Sequence, residues 1–535
     1  MGIDKDALLA KQQADVDNKL WAIANELRGN MDASEFKNYI LGLIFYKFLS
    51  DKIIQIVNEE LADDGLTFIE VWKNEDKIRK HNDTLTELQK SIIELSTRTI
   101  GYFLDPKYLF CEFVNQINRK EGYSEFTVED LKEGIKALIS STIGISSQDD
   151  FEDLFDDMDL DSNKLGKGEA ERSKLIGKII LNIEDLKLDI SETNFDILGH
   201  AYEYLIGKFA ASAGKKAGEF YTPAQVSELL ARIVTLDNKN IKSAYDPTCG
   251  SGSLLLRVRN NVNNPKTIKL YGQEMVSTTY NLARMNMLLH NVDYEKFNIA
   301  NDDTLERPAE KHKGLKFDAV VANPPYSAKW EPAGKDEDPR FNGYDGKYAP
   351  ASKADFAFLE HMIYHLNDSG TLAVVLPHGV LFRGSSEATI RTKIIKDYNY
   401  LDAVIGLPAN LFFGTGIPTC ILVLKKCRNH DDIVFIDASK YFENGKNQNY
   451  LREEDINRIL EAYKNRKDID KYCHVATLKE VAENEYNLNI PRYVDTFEEE
   501  EPIDIHQVMA EIKKLEQERA ELDKEIEKYL KELGL

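Results

Sequence analysis

The chain has 535 residues, 68 of them Lys or Arg and 91 Asp or Glu, for a formal net charge of −23 at pH 7. That length exceeds one hydrophobic core and implies about two to four domains, while the charge works against unassisted attraction to polyphosphate or to an anionic membrane. The five cysteines (Cys111, Cys249, Cys420, Cys427 and Cys473) have neither CxxC spacing nor His-rich company, which disfavours a disulfide framework and a structural zinc site and fits a reducing cytoplasm.

The first residues carry no apolar h-region, and no window approaches about 18 uninterrupted apolar residues, so neither export nor a membrane span is expected. From Asn18 to about Ile56, apolar residues recur at helical spacing: Leu20, Ile23, Leu27, then Ile40, Ile44, Phe45, Phe48 and Leu49. With Leu88 to Ile93 and Val128 to Leu138, they predict an all-helical N-terminal region. Asp149 to Asp161, DDFEDLFDDMDLD, has eight acidic residues in thirteen. Phe151, Leu154, Phe155 and Met158 fall at i, i+3, i+4, i+7 within it, which favours a short amphipathic helix over a solvated linker. The domain boundary is expected just beyond, giving a helical domain over 1–165, a catalytic domain over 166–475 and a helical tail over 476–535.

From about Lys242 to Lys426, short apolar runs alternate with helical stretches: KSAYD, TIKLYGQE, KFNIAND, FDAVVANPPY, GTLAVVLPHG, YLDAVIGLP and TCILVLKK. This alternation predicts a doubly wound α/β sheet. No helix separates the last two runs, so one edge strand is expected to be antiparallel. From about Asp431 the chain is mixed and acidic. At its end Ile505, Val508, Ile512, Leu515, Arg519, Leu522, Ile526 and Tyr529 form a heptad seam with one polar interruption. Such a seam suits either a helix docked on its own domain or a partner-binding coiled coil.

Chemistry concentrates at the ends of the predicted strands. DPTCGSGSLL, Asp246 to Leu255, follows the first strand, and Gly250 and Gly252 let its backbone turn sharply towards a ligand. It lacks GK[ST], so it is no phosphate-gripping P-loop. Glu274 ends the second strand, where an acid accepts from ribose hydroxyls in nucleotide-type folds, although a helix N-terminal acid has the same position. Asp303, in NDDT after the third strand, is placed to accept from an adenine amine, with Asp302 and simple turn capping as alternatives. The fourth strand stops on VVANPPY. An exocyclic amine is a poor nucleophile because its lone pair is delocalised into the ring; two acceptors gripping its hydrogens free that pair. Asn323 offers a side-chain carbonyl and Pro324 a backbone carbonyl, the paired prolines Pro324 and Pro325 fix the backbone, and Tyr326 offers a stacking face worth about 1 to 3 kcal/mol per base.

The ordered set GEFYTP (Gly218 to Pro223), DPTCGSG, YGQE, NDDT and NPPY resembles the amino-methyltransferases that use S-adenosylmethionine to methylate adenine in DNA. The helical N-terminal region, LPANLFFGTGIPT (Leu407 to Thr419) and the C-terminal helix further resemble the modification subunit of type I restriction-modification enzymes. The resemblance implies a doubly wound S-adenosylmethionine-dependent methyltransferase sheet. It also implies that Glu219, Phe220, Tyr221, Thr222 and Pro223 line the cofactor pocket, with Asp246 and the glycine loop Gly250, Ser251, Gly252 and Ser253. Glu274 would bind ribose and Asp303 the cofactor's adenine. Asn323, Pro324, Pro325 and Tyr326 would hold the target adenine, and Phe412 or Phe413 would be a second stacking face. The target lies inside double-stranded DNA, so its base must be extruded, and in-line methyl displacement needs positioning and desolvation with no metal.

The loop Ser327 to Lys353 holds Trp330 and Arg340 and reads as a mobile DNA-side flap or an inert surface loop. The acidic tail lacks a basic recognition surface. The family therefore implies a separate specificity subunit that reads the DNA and is bound by two copies of this chain, with a restriction subunit joining for cleavage. Rival readings are a methyltransferase for protein glutamine or RNA, because the same grip suits any planar amide or amine, and a non-catalytic assembly scaffold.

Overall fold

The computed structural model describes residues 18–19, 33–79, 85–118, 124–186, 202–208, 222–412, 415–445, 448–496 and 505–533. Leu20, Ile23 and Leu27 of the first helical pattern, Glu219, Phe220 and Tyr221 of GEFYTP, and Phe413 lie outside these residues. The chain divides into two units, Met1–Val494 and Asp495–Leu535.

The N-terminal region is built around the helix Ala33–Glu60, whose Phe36, Ile40, Ile44, Phe45, Phe48, Leu49, Ile53 and Val57 are all buried. A helix apolar on so many sides has to be central to its bundle. Around it lie Phe68–Arg79, Glu87–Ile100, Phe110–Ile117 and Val128–Ser140. Capping boxes at Thr86 with Gln89 and at Thr127 with Asp130 start two of them, satisfying amides that the first helical turn leaves orphaned. The helix Glu169–Glu184, beyond the expected boundary at 165, packs on Phe110–Ile117 and Val128–Ser140.

The acidic stretch departs from expectation. Phe151, Leu154, Phe155 and Met158 are buried as the spacing implies, but only Gln148–Phe151 is helical, and turns follow, with Asp153 left-handed at φ 57°. The backbone is spent on distant partners instead of a helical ladder. Arg284 donates to the carbonyls of Asp149 and Glu152 at 2.8 and 2.9 Å, and Asn38 and Tyr39 donate to those of Asp157 and Asp159. The segment thus joins the helical region to the sheet domain.

Among the described residues, that domain contains nine strands in one sheet: β1 Ser243–Asp246, β2 Lys269–Glu274, β3 Phe297–Asn301, β4 Phe317–Ala322, β5 Leu366–Pro377, β6 Leu401–Gly406, β7 Thr419–Lys425, β8 Ile433–Asp437 and, after a two-stranded ribbon of β9 Glu443–Asn444 and β10 Asn449–Tyr450, β11 Cys473–Ala476. Their order is β11-β8-β6-β7-β5-β4-β1-β2-β3. β7 is antiparallel, as the missing crossover helix implies, but it is not an edge strand: it pairs with β5 on one side and β6 on the other. Its TCILVLK is buried in all but the last residue, which only an interior position satisfies. β8 and the antiparallel β11 extend that flank.

β4 explains the opening half of VVANPPY. Ala319 and Val321 enter one core, while Val320 and Ala322 enter the other. A central strand buried on both faces needs an unbroken apolar run. β4 lies between β1 and β5, and β1 passes on to β2, so Asp246, Glu274 and Asn323 emerge at one end of adjacent strands. Ligands bind in such crevices at the carboxyl ends of strands. Among the described residues no helix is long and apolar enough to cross a membrane.

In the second unit, Ile505–Glu532 is one helix of 28 residues. Val508, Ile512, Leu515, Leu522, Ile526 and Tyr529 of the heptad seam are exposed on it.

Candidate active site

β1 ends on Asp246, which is 2% exposed, and the chain turns through Gly250 and Gly252, at φ 55° and 77°. Any side chain is strained at these angles, and a Cβ on Gly252 would also lie 2.6 Å from Cε of Met287. The turn feeds the helix Ser253–Asn260, with Asn286 donating to the Ser251 carbonyl at 2.9 Å. Burial raises Asp246 to about 7, against the hydrogen bonds it accepts from Thr248 and with a further push from Glu274.

Glu274 fastens this loop from the neighbouring strand. One carboxylate oxygen accepts from the Gly250 amide at 3.0 Å and the other from the Val276 amide at 2.9 Å. Burial still raises its pKa, with those amides opposing. Each oxygen keeps a second lone pair for a ligand donor. The carboxylate steadies the start of the next helix while lining the crevice.

The two aspartates after β3 separate. Asp302 is held outside by Arg307, with Nε 2.7 Å from Oδ1. Asp303 lines the cavity and with Oδ1 accepts from the amides of Leu305 and Glu306 at 2.9 and 3.2 Å. Capping the turn and facing the cavity are again combined in one residue.

At the end of β4, Asn323 is held at both ends of its amide. Nδ2 donates to Oγ1 of Thr222 at 3.1 Å, and Oδ1 accepts from the Tyr326 hydroxyl at 2.7 Å. Tyr326 meets Phe412 edge to face, with ring centroids 6.1 Å apart. Thr222, Asp246, Gly250, Ser251, Ser253, Glu274, Asp303, Asn323 and Pro325 share the walls of one cavity. Pro223 starts the helix Ala224–Thr235, Gly252 precedes Ser253–Asn260, and Pro324 is buried.

The cavity has walls that the sequence reading did not assign to it: Met275, Thr304, Trp330 and Phe358. Trp330 belongs to the loop expected to be a flap or an inert surface. Instead, Trp330 is 8% exposed and packs on the fully buried Phe341. Arg340, 5% exposed, donates to the carbonyls of Thr304 and Leu305 at 2.8 and 2.9 Å. The loop is stitched to the segment after β3, a contact that no local pattern announces.

The donor set has a clear chemical bias. Three carboxylates, two of them raised by burial, face a cavity with a glycine turn, so a ligand rich in hydroxyl, amine or ammonium donors fits it. The N-6 DNA Methylase family profile matches residues 193–502, and the HsdM N-terminal domain profile matches 16–183. The MpnII methylase subunit of a type I restriction enzyme from Mycoplasma pneumoniae is 38% identical, over 92% of both chains. The chain belongs to the type I restriction enzyme methylase subunits. The HindI methylase subunit from Haemophilus influenzae is 32% identical to this methylase over 72% of this chain and 92% of its own. A crystal structure of a type I restriction-modification methyltransferase subunit from Streptococcus thermophilus is 42% identical, covers 90% of this chain and 100% of its own, and superposes with a TM-score of 0.81. The methylase subunit thus has the S-adenosylmethionine-dependent methyltransferase fold with a helical N-terminal region.

Proposed function

We propose that this methylase subunit transfers a methyl group from S-adenosylmethionine to the exocyclic amine of adenine in double-stranded DNA, with the target base extruded. The observation that carries the reading is Asn323: its amide is oriented by Thr222 and Tyr326 on the wall of the cavity that Glu274 and Asp303 share. When bound, the cofactor supplies an electrophilic methyl on a sulfonium. Glu274 would accept from its ribose, Asp303 would accept from its adenine amine, and Asp246, once ionised, would complement its positive charge. Asn323 Oδ1 and the Pro324 carbonyl accept the two hydrogens of the target amine, which localises its lone pair towards the methyl carbon. Tyr326 stacks on the base and holds it for in-line transfer.

Recognition of the DNA sequence belongs, in this reading, to a separate specificity subunit bound by two copies of this chain, and cleavage to a restriction subunit. The exposed seam of Ile505–Glu532 supports a partner-binding role for the tail. The test is transfer of labelled methyl from S-adenosylmethionine by the co-purified native complex to DNA, RNA and protein acceptors. Label recovered as N6-methyladenine in duplex DNA supports the proposal; label confined to RNA or protein overturns it.

A further inference from the structure

We infer that Asp355 and Arg383 form a clamp that holds the Asn323–Tyr326 motif in its working shape, a positioning role resting on the proposed function of that motif. The motif ends on Ser327, which is left-handed at φ 52°. A residue with a Cβ takes that conformation only where its surroundings impose it. The imposing group is Asp355, 28 residues on, whose Oδ1 accepts from the Ser327 amide at 2.8 Å.

Asp355 has 0% exposure. A carboxylate so placed needs a countercharge, and Arg383 provides it: Nη1 lies 2.9 Å from Asp355 Oδ2 and 2.9 Å from Oε1 of Glu387, itself 2% exposed. Two further bonds brace the same neck. The Ala354 amide donates to the Ala328 carbonyl at 2.8 Å, and the Trp330 amide to the Ala351 carbonyl at 3.0 Å. The 28-residue excursion is therefore closed at its base, with Asp355 as its only charged link to the motif among these contacts. Gly379 makes room for the cation, since a Cβ there would lie 2.5 Å from Arg383 Nε. Arg383 also follows Phe382, which is 49% exposed in the loop after β5, so the clamp ties the catalytic turn to a surface loop.

The clamp acts through Asn323, so its loss should change the chemical step and spare the cofactor. In the assembled complex, Asp355→Ala is expected to lower the single-turnover methyl-transfer rate by about 100-fold, the scale of an ångström's misplacement of reacting groups. Its dissociation constant for S-adenosylmethionine should stay within about threefold of wild type. Asp355→Asn keeps an acceptor for Ser327 and should recover the rate to within about tenfold of wild type. Gly379→Ala, which displaces the guanidinium without touching Asp355, should reproduce part of the loss. If Asp355→Ala does not fold, Gly379→Ala carries the test: a rate loss at unchanged cofactor affinity supports the clamp, and a wild-type rate overturns it. Asn323→Ala is run alongside. If it is inactive while the clamp variants are not, the clamp alone is refuted; if it remains active, the site reading falls and the clamp with it.

Discussion

Tyr326→Phe separates the two roles of that ring. The Tyr326 hydroxyl donates to Asn323 Oδ1 at 2.7 Å, the same acceptor that the target amine requires. The incoming amine must displace it, exchanging one neutral hydrogen bond for another. Such a bond contributes about 0.5 to 1.5 kcal/mol net, so removing the hydroxyl should favour the inserted base by about 2- to 13-fold. Asn323 stays oriented because Thr222 still accepts from Nδ2, and the ring keeps its edge-to-face contact with Phe412 and its face for the base. The expected result is a shift of the extrusion equilibrium by that factor, read from 2-aminopurine fluorescence at the target position, with the single-turnover rate within about threefold of wild type. Tyr326→Ala, which also removes the stacking face, should lose about 1 to 3 kcal/mol of base binding. If Tyr326→Phe lowers the transfer rate as far as Asn323→Ala does, the hydroxyl takes part in the chemistry and the placeholder argument is wrong.

Three further outcomes follow from the same geometry. Asp246 is raised to about 7 by burial, and a cationic ligand favours its ionised form, so cofactor affinity should rise with pH and level off above that value. From pH 6 to 8 the gain should approach about tenfold, measured by calorimetry against Asp246→Asn, in which this part of the pH dependence should vanish; equal profiles would remove Asp246 from the site. Thr222→Val leaves Nδ2 of Asn323 without its acceptor and frees the amide to turn over, so turnover should fall by about 2- to 13-fold and Thr222→Ser should restore it. Removing Ile505–Glu532 should leave a cofactor-binding protein that no longer co-purifies with the proposed specificity subunit, whereas undiminished assembly would show that the seam serves another purpose.

The parts of the fold written in local pattern were legible. VVA before NPPY announced a strand, and β4 is that strand, with its side chains divided between two cores. Gly250 and Gly252 announced a turn that only small residues tolerate, and both have positive φ. What stayed hidden depends on partners far along the chain. The apolar spacing of Asp149 to Asp161 gave the right buried residues but the wrong local structure, because Arg284, Asn38 and Tyr39 take its carbonyls. The interior place of β7 is set by pairing with both β5 and β6, which no run of seven residues encodes. Trp330 looked like a surface aromatic until Phe341 covered it. Asp355 carried no motif at all; its meaning comes from the left-handed Ser327 opposite it.

The central claim is that Asn323 activates the target amine, and single-turnover methyl transfer by Asn323→Ala in the native complex tests it most directly. At saturating S-adenosylmethionine, with cofactor affinity preserved, the rate should fall by at least about 100-fold, as expected when a preorganised hydrogen-bonding group is removed from a reacting centre. A rate within tenfold of wild type would contradict the account.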